Sequence, residues 1–544
     1  MRLRVLKKVA FILGLACEII FTTHANAQTP ADAGALQQQI ERDRQGILPP
    51  RVAPVRPAVP RELKPVTGIF VKVEAFKFAG NTRLSDKQLA QVVAPYLARP
   101  LDFAQLQAAT AAVGEAYRTA GWVVNAYLPE QDIRDGVVTI QIVEAVFAGL
   151  KIEGYAGRIQ ATRLLKGVEV QQALGQPLQA NALDRALLLA DDLPGVAVSG
   201  ALRAGTREGE TELIYKIADE PLVVGDIRAD NTGARSTGAS RVLTNLLLSS
   251  PAGYGDQVSA SLLVSEGSRY GRLGYTVPVG YDGWQIGANT SHLSYDLIGA
   301  NGKGTSQAVG VEARYPIIRA RQQNLYLSLN ADHKSFDNQF NGATTTQYGM
   351  NVSSMGLSGN YFDDQWGGGS NSMNLAWVTG HRNNQVGTTD AGFGKLRYAL
   401  SRQQVMTSTL SFYAGIEGQA SKYTLDTSES FYLGGANGVR AYPTNEGRGS
   451  GGELAKLELR WRAIDKIVLT SFYDYGRVRN HDSTADYSLK GAGLAASWQV
   501  DPDLSLNATW AHRIGTNPGA SSTGNDSDGS LTKNRFWLSA SFVF

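Results

Sequence analysis

The spacing of apolar residues along the chain changes near residue 221. Before that point, stretches such as Leu106, Ala109 and Val113 have apolar residues three and four positions apart, which predicts amphipathic helices between short strands. From Leu222 onward the helical spacing disappears, and apolar and polar residues alternate in segments separated by Gly, Asn, Asp and Ser. Alternation over about 320 residues predicts a large sheet, because successive side chains of a strand point to opposite faces.

The region before residue 221 contains a repeated unit. Residues 68–145 predict the order strand, helix, helix, strand, strand, and residues 146–220 predict the same order again. In the first copy, Asp102 begins a capping-box variant that opens the second helix. Two copies of about 75 residues are too few for a solenoid and predict two small α+β domains.

The alternating region, 221–544, predicts a transmembrane β-barrel. Its clearest strand is Lys456–Arg462, in which the even positions are charged while Leu457, Leu459 and Trp461 take the other face. An apolar face that ends in Trp is typical of the aromatic girdle of an outer-membrane barrel. At roughly 20 residues for a strand and its share of turns, the region predicts about 16 strands. The predicted fold class is therefore mainly β, a barrel preceded by two α+β domains.

Residues 1–27 predict a secretory signal peptide. A basic start is followed by an apolar run, Val9–Phe21, and by the small-x-small cleavage site Ala25-Asn26-Ala27. The alternative is a lipoprotein signal that uses Cys17, although the apolar run continues past this cysteine. Cleavage after Ala27 removes the single cysteine of the chain, which suits an oxidising exported compartment.

Two further segments precede the repeated units. Residues 28–48 contain good helix formers and predict an N-terminal helix that could plug a pore. Residues 49–67 are a Pro-rich linker, which favours extended polyproline structure. The alternative for this region is a disordered leader.

The formal net charge of +3 comes from the predicted signal peptide. Residues 1–27 contain four Lys or Arg and one Glu, so 48 of the 52 basic and 48 of the 49 acidic residues remain after cleavage. A balanced charge gives no electrostatic reason to expect nucleic acid as a partner. The histidines are far apart, and the chain contains no Walker A sequence and no Gly-x-Ser-x-Gly elbow. We therefore expect no metal, no cofactor and no enzymatic activity.

Motifs in the repeated units resemble those of polypeptide-transport-associated (POTRA) domains. In the first unit these are Tyr117-x-x-x-Gly121, Ala126–Gln131 and a strand that ends at Glu144. In the second unit, Leu188–Val196 is similar to the corresponding part of a second POTRA domain. The resemblance implies that the two units are POTRA domains.

Two motifs in the predicted barrel resemble those of the outer-membrane assembly and secretion superfamily. The sequence Gly438-Val439-Arg440-Ala441-Tyr442 is similar to the Val-Arg-Gly-Tyr motif of the long sixth loop, with Ala441 in place of Gly. The sequence Phe472-x-Asp474-x-Gly476 is similar to its partner motif on the barrel wall. Together with two POTRA domains and a Pro-rich linker, these motifs resemble the outer-membrane transporters of two-partner secretion, the hemolysin activation and secretion family.

This resemblance implies a function, a location and partners. The POTRA domains would capture an unfolded partner exoprotein, hemolysin-like or adhesin-like, in the periplasm, and the barrel would export it across the outer membrane without nucleotide hydrolysis. Outer-membrane lipid and the barrel-insertion machinery would be further partners. The alternating C-terminal residues resemble the signal that this machinery reads, namely Phe536, Leu538, Phe542 and Phe544. The alternatives are a general outer-membrane protein insertase and a non-secreting porin or adhesin-type barrel.

The alternation of the wall motif places it inside the barrel. Phe472, Asp474 and Gly476 share one face, opposite to the apolar face of the same strand. A buried carboxylate needs a partner, and a guanidinium supplies two directed donors. We therefore expect the sixth loop to fold inward and Arg440 to engage Asp474 as a conformational latch.

Other acidic residues enter this expectation as alternatives. Glu446 and Glu453 lie near Arg440 in the sequence and could pair with it instead. Asp526 and Asp528 lie in the Ser- and Gly-rich stretch 519–530, which predicts a solvated external loop.

Overall fold

The computed structural model of the chain describes the residues 32–44, 70–133, 135–155, 157–480 and 486–544. The predicted signal peptide and the predicted Pro-rich linker lie outside these residues. Of the predicted N-terminal helical segment, the described part forms helix α1 (Ala33–Arg44). None of the helices in the described ranges is long and apolar enough to cross a membrane.

The first repeated unit is a small sheet covered by two helices. Its elements are β1 (Val71–Lys72), β2 (Ala75–Ala79), α2 (Asp86–Val93), β3 (Pro100–Leu101), α3 (Phe103–Thr119), β4 (Val124–Tyr127) and β5 (Val137–Glu144). β2 pairs in parallel with β5, which pairs antiparallel with β4. Helix α3 begins at Asp102 with a complete capping box, as its sequence predicts. Its buried face, which includes Val113 and Tyr117, packs on Ile140 of the central strand.

The second unit repeats this order. Its elements are β6 (Val146–Tyr155), α4 (Ala161–Gln171), α5 (Ala180–Asp191), β7 (Val196–Ala204) and β8 (Glu210–Asp219). β8 lies between β6, to which it is parallel, and β7, to which it is antiparallel. The last strand of each unit is therefore the central strand of its sheet, and β7 is left at an edge.

From residue 223 onward, the described residues form a closed antiparallel barrel of 16 strands, in which the last strand pairs with the first. The strands are β9 (Val223–Asp230), β10 (Arg241–Ser249), β11 (Gln257–Ser265), β12 (Ser268–Val279), β13 (Trp284–Asp296), β14 (Gly302–Arg319), β15 (Gln323–Phe340), β16 (Ala343–Asp363), β17 (Gly369–Val386), β18 (Ala391–Val405), β19 (Leu410–Ser421), β22 (Gly451–Ile464), β23 (Ile467–Arg479), β24 (Tyr487–Gln499), β25 (Leu504–Arg513) and β26 (Asn534–Val543). A small hairpin, β20 (Phe431–Tyr432) with β21 (Arg448–Gly449), lies within the connection from β19 to β22. The predicted fold class and strand number are confirmed.

The two faces of the barrel differ as the alternation predicts. On β22, Leu457, Leu459 and Trp461 are 45%, 41% and 50% exposed on the outer face, where lipid replaces water in a membrane. Glu458, between them, is buried on the lumenal face. The charged side chains of this strand therefore face the lumen, which other segments of the chain partly fill.

Part of that interior is filled by α1. The helix packs Ala33, Leu36 and Ile40 against lumenal side chains of the barrel wall, among them Tyr270, Leu293, Tyr295, Phe336 and Tyr348. Its first backbone N–H donates to Asn338 Oδ1 at 2.9 Å, and Asp43 near its end pairs with Arg241 at 2.7 Å. The helix is thus attached at both ends to the inside of the barrel.

Candidate functional site

The connection from β19 to β22 folds into the lumen. We call residues 422–450 the sixth loop, because it is the sixth connection at the barrel end opposite the two N-terminal units. Most of its central residues are buried, including Leu433, Val439 and Tyr442, and they pack on Leu454 of β22. This packing keeps the loop inside the barrel rather than above it.

Arg440 of the sixth loop contacts the carboxylate of Asp474 on β23. Its Nε and Nη2 donate to Oδ2 and Oδ1 at 2.9 and 2.7 Å, and its backbone N–H donates to Oδ2 at 3.0 Å. Asp474 is fully buried. Two parallel charge-assisted bonds fix both the position and the orientation of the guanidinium, which a single-point contact would not do.

A second carboxylate, which the sequence motifs do not predict, completes the site. Glu458 Oε1 lies 2.9 Å from Arg440 Nη1, and its other oxygen accepts from Arg460. The two acids that the sequence offered as alternative partners lie elsewhere, since Glu446 binds Asn517 and Glu453 pairs with Arg479. The charged alternation of β22 was the available signal, because Glu458 faces the same lumen as Asp474.

The other two residues of the wall motif shape the space around the arginine. The Arg440 guanidinium carbon lies 3.4 Å from the centre of the Phe472 ring, a cation–π contact. A Cβ added to Gly476 would lie 2.6 Å from Leu433 Cδ2 and 3.1 Å from Val439 Cγ2. The absence of a side chain at Gly476 therefore lets the loop approach β23.

The residues of the loop motif also depend on small neighbours at close contacts. Ala441, which replaces the glycine of the motif, is fully buried and faces Gly491 of β24, where an added Cβ would lie only 2.6 Å from Ala441 Cβ. The backbone of Ala441 does not adopt positive φ, so no glycine is needed there. A Cβ on Gly438 would lie 1.9 Å from the Leu433 carbonyl oxygen, so this position does require glycine.

The prediction of a solvated loop at 519–530 is wrong for its two aspartates, although residues 521–524 of the same stretch are exposed. Asp526 and Asp528 are only 3% and 8% exposed. Both pair with Arg535, and Asp526 also pairs with Arg513. Arg513 in turn lies 4.4 Å above the ring of Tyr442 in the sixth loop. Charged residues in a Ser- and Gly-rich stretch predict a solvated loop, because the sequence does not show that distant arginines lie close enough to pair with them.

The C-terminal residues close the barrel. Phe544 and Gly225 exchange two backbone hydrogen bonds of 2.9 Å, which extend the pairing of β26 with β9. Phe536 and Leu538 are exposed on the outer face, whereas Phe542 is buried and stacks on Phe544 with ring centres 6.1 Å apart. The four alternating residues therefore share a face but differ in burial.

In the first N-terminal unit, two residues of the POTRA-like motif meet. The Tyr117 hydroxyl donates to Glu144 at 2.9 Å, and the backbone N–H groups of Thr82 and Arg83 donate to the same carboxylate at 2.7 and 2.8 Å. Partial burial raises the pKa of Glu144, but the hydrogen bonds from Thr82, Arg83 and Tyr117 outweigh it and lower the pKa below its usual range. Burial and this hydrogen bond raise the pKa of Tyr117.

Comparison with known proteins identifies the family. A family model described as haemolysin secretion/activation protein ShlB/FhaC/HecB matches residues 209–499, which is more than half of the 544-residue chain. The chain belongs to this family. A model of the ShlB-type POTRA domain also matches residues 71–145.

Full-length relatives agree with this assignment. The heme/hemopexin transporter protein HuxB of Haemophilus influenzae (strain 86-028NP) is 24% identical over 484 residues, 84% of each chain. The outer membrane transporter CdiB of Escherichia coli O6:K15:H31 (strain 536 / UPEC) is 24% identical over 492 residues, 85% of this chain and 82% of CdiB. The protein is a two-partner secretion transporter of the outer membrane, with POTRA domains in the periplasm, as its motifs predict.

Solved structures support the fold. The structure of CdiB from Escherichia coli superposes with a TM-score of 0.71 at 20% identity, covering 96% of this chain and all of that chain. BamA from Haemophilus ducreyi lacking POTRA domains 1–3 gives a TM-score of 0.54 at 14% identity, covering 87% of this chain. At these identities the similarity concerns the arrangement of barrel and POTRA domains.

Proposed function

We propose that this transporter exports one large partner exoprotein through the barrel, in an extended state, and that the described conformation is its closed state. The observation that carries the proposal is the occupied lumen, in which Arg440 holds the sixth loop to the wall while α1 lies beside it. Relatives are named as transporters of heme/hemopexin and of hemolysin. We therefore expect an exported protein of the hemolysin or adhesin kind as the client.

We propose that the periplasmic POTRA domains capture the client. Edge strand β7 has one sheet neighbour, β8, and most of its side chains are exposed, including Leu202. An exposed edge can bind an extended chain by adding it as a further strand. Because backbone hydrogen bonds dominate this mode of binding, it accepts an unfolded segment of varied sequence.

The contact of Arg440 with Asp474 is proposed as the latch of the closed state. Breaking this contact before water reaches the site would leave a fully buried carboxylate without its cation, which costs about 3–5 kcal/mol. This cost keeps the loop seated in the resting pore, and contacts with the client would have to offset it during export.

The sequence has no Walker A motif, and the described part of the chain has no group of three or more His, Cys, Asp or Glu that could hold a metal ion. We propose that folding of the client outside the cell drives its export without nucleotide hydrolysis. We also propose that the barrel-insertion machinery reads Phe536, Leu538, Phe542 and Phe544, and that the outer face of the finished barrel contacts lipid.

Arg440→Ala tests the proposed function. We expect secretion of the partner exoprotein to fall about tenfold or more while the inserted barrel is retained, because the sixth loop loses the contact that fixes its position in the lumen and Asp474 loses its cation. The measurement is secreted client against heat-modifiable barrel in the outer membrane. The matched control is Arg479→Ala, which breaks a more exposed pair with Glu453.

Two outcomes contradict the proposal. Normal secretion by Arg440→Ala would contradict the proposed role of Arg440 as a latch. Unchanged client export together with lower levels of other outer-membrane proteins on deletion of the transporter would favour the insertase alternative.

A further inference from the structure

The first turn of α1 rests on a short part of the sixth loop. We call residues 426–430 the seat. A Cβ added to Gly34 would lie 2.9 Å from Thr427 Oγ1 and 3.0 Å from Ser428 Cβ, so the helix and the seat touch without an intervening side chain. Glycine lowers the stability of a helix, and its presence here is explained by this close approach.

Hydrogen bonds on both sides of the contact fix the helix to the seat. Thr427 Oγ1 donates to Asp32 at 2.9 Å, just before the helix begins. One turn further on, Gln38 Nε2 donates to the carbonyl of Ser430 at 2.5 Å. The seat therefore aligns the first half of α1.

Glu429 holds the seat on the barrel wall. Its two carboxylate oxygens lie 2.8 Å from Lys334 Nζ of β15 and 2.8 Å from Lys395 Nζ of β18. Its carbonyl oxygen accepts from Lys395 at 2.6 Å and from Gln419 of β19 at 2.9 Å. Glu429 and Lys395 are buried, so the carboxylate pairs with one buried and one partly exposed ammonium group.

Asp426 completes the attachment. It accepts from the Tyr348 hydroxyl of β16 at 2.9 Å and from Arg382 of β17 at 3.2 Å. The seat is thus joined to the five adjacent strands β15 to β19, whereas Arg440 is joined to β22 and β23. The sixth loop has two separate anchors on different parts of the wall.

We propose that Glu429 is a positioning residue that holds the seat, and that the seat keeps α1 in the lumen independently of the contact between Arg440 and Asp474. Without the Glu429 charge, two lysines on neighbouring parts of the wall would repel each other and displace the seat. The helix would then lose its contact at Gly34 and its bond from Gln38. The inference rests on the proposed closed state, in which α1 occupies the lumen, and its test measures the position of the helix rather than export.

A single cysteine can report that position. Leu36 is buried in the lumen, and the only native cysteine, Cys17, lies in the predicted signal peptide. In the Leu36→Cys transporter we therefore expect slow labelling by a membrane-impermeant maleimide. Adding Glu429→Gln is expected to speed labelling about tenfold, because labelling follows the population of the released helix. Gly34→Ala, which crowds the seat from the helix side, is expected to change the rate in the same direction.

The control is Glu453→Gln, the same chemical change at an acid of β22 that pairs with Arg479 and lies outside the seat. Labelling of this control should match the parent. Equal acceleration in the control, or an unchanged rate in both Glu429→Gln and Gly34→Ala, would overturn the inference.

Assembly is checked by heat-modifiable mobility of the barrel. If Glu429→Gln does not assemble, Lys395→Met reaches the same anchor from the wall and leaves Glu429 paired with Lys334. Faster labelling in Lys395→Met supports the inference, and an unchanged rate rejects it. Loss of export with unchanged labelling in these variants would contradict this inference without contradicting the proposed function.

Discussion

The sixth loop and α1 occupy the same lumen, but their charged contacts differ in what is left behind when they break. Removing Arg440 from the wall takes the cation away from Asp474, which is fully buried. Removing Asp43 with the helix leaves Arg241 still bonded to Asp230 at 2.8 Å and to Thr232 at 2.6 Å. A buried charge that keeps a partner costs far less than one that loses it. We therefore expect the Arg440 contact to hold the loop more firmly than the Asp43 contact holds the helix.

The apolar face of the helix moderates this difference. Burial of Leu36 and Ile40 contributes about 1.5–3 kcal/mol for each side chain. Ordering the residues of a short helix opposes this contribution through lost backbone and side-chain entropy. We therefore expect a helix that is seated at rest and that a client can displace.

Asp474→Asn should produce the largest effect. Asp474 accepts bonds from Nε, Nη2 and the backbone N–H of Arg440, whereas Glu458 contacts only Nη1 and replaces none of them. We therefore expect the free energy of unfolding to fall by about 3 kcal/mol. Denaturant unfolding of the purified transporter, followed by the fraction with folded mobility, measures this value. A loss below about 1 kcal/mol would place the loop in the same class as the helix.

Asp43→Asn should produce a smaller effect and provides the matched substitution on the helix. We expect the barrel to lose less than about 1 kcal/mol, because Arg241 retains Asp230 and Thr232. The same unfolding measurement applies, with the Leu36→Cys labelling rate as a second readout. A loss as large as that of Asp474→Asn would abolish the difference between the two occupants.

The smallest effect is expected at Glu144, a carboxylate held by neutral donors rather than by a cation. Its pKa is lowered in the folded chain, so its stabilisation is present above the usual carboxyl range and is lost as the pH falls through the lowered value. Hydrogen exchange should therefore show protection of the Thr82 and Arg83 amides at neutral pH that declines in acid. In Glu144→Gln the protection should be weak and independent of pH, and a parent that behaves like this variant would contradict the assignment.

The loop site shows how far sequence reasoning reaches. Phe472, Asp474 and Gly476 are placed in the lumen by alternation alone, since a strand with one lipid face leaves one orientation for each residue. The motif resemblance directs attention to Arg440. The contact of Glu458 with Arg440 is not predicted, because alternation indicates which face of the strand a residue takes but not which side chain of another element it contacts.

Two other features depended on distant contacts. The sequence around Asp526 and Asp528 predicts solvated residues. Their burial depends on ion pairs with Arg513 and Arg535, which the sequence does not show. The location of α1 is also invisible in its own sequence, because a short amphipathic segment pairs equally well with any suitable surface.

The sequence by itself determined the periodicity, the repeated units, the count of about 16 strands and the residues of the two motifs, because these follow from local spacing and strand geometry. Only the tertiary structure decided that α1 lies in the lumen, that Glu458 joins the latch and that Glu429 fixes a second part of the loop to β15 and β18. Those contacts join residues tens to hundreds of positions apart. Ion pairs of this kind depend on the closure of the barrel, which brings opposite parts of its wall around a common interior.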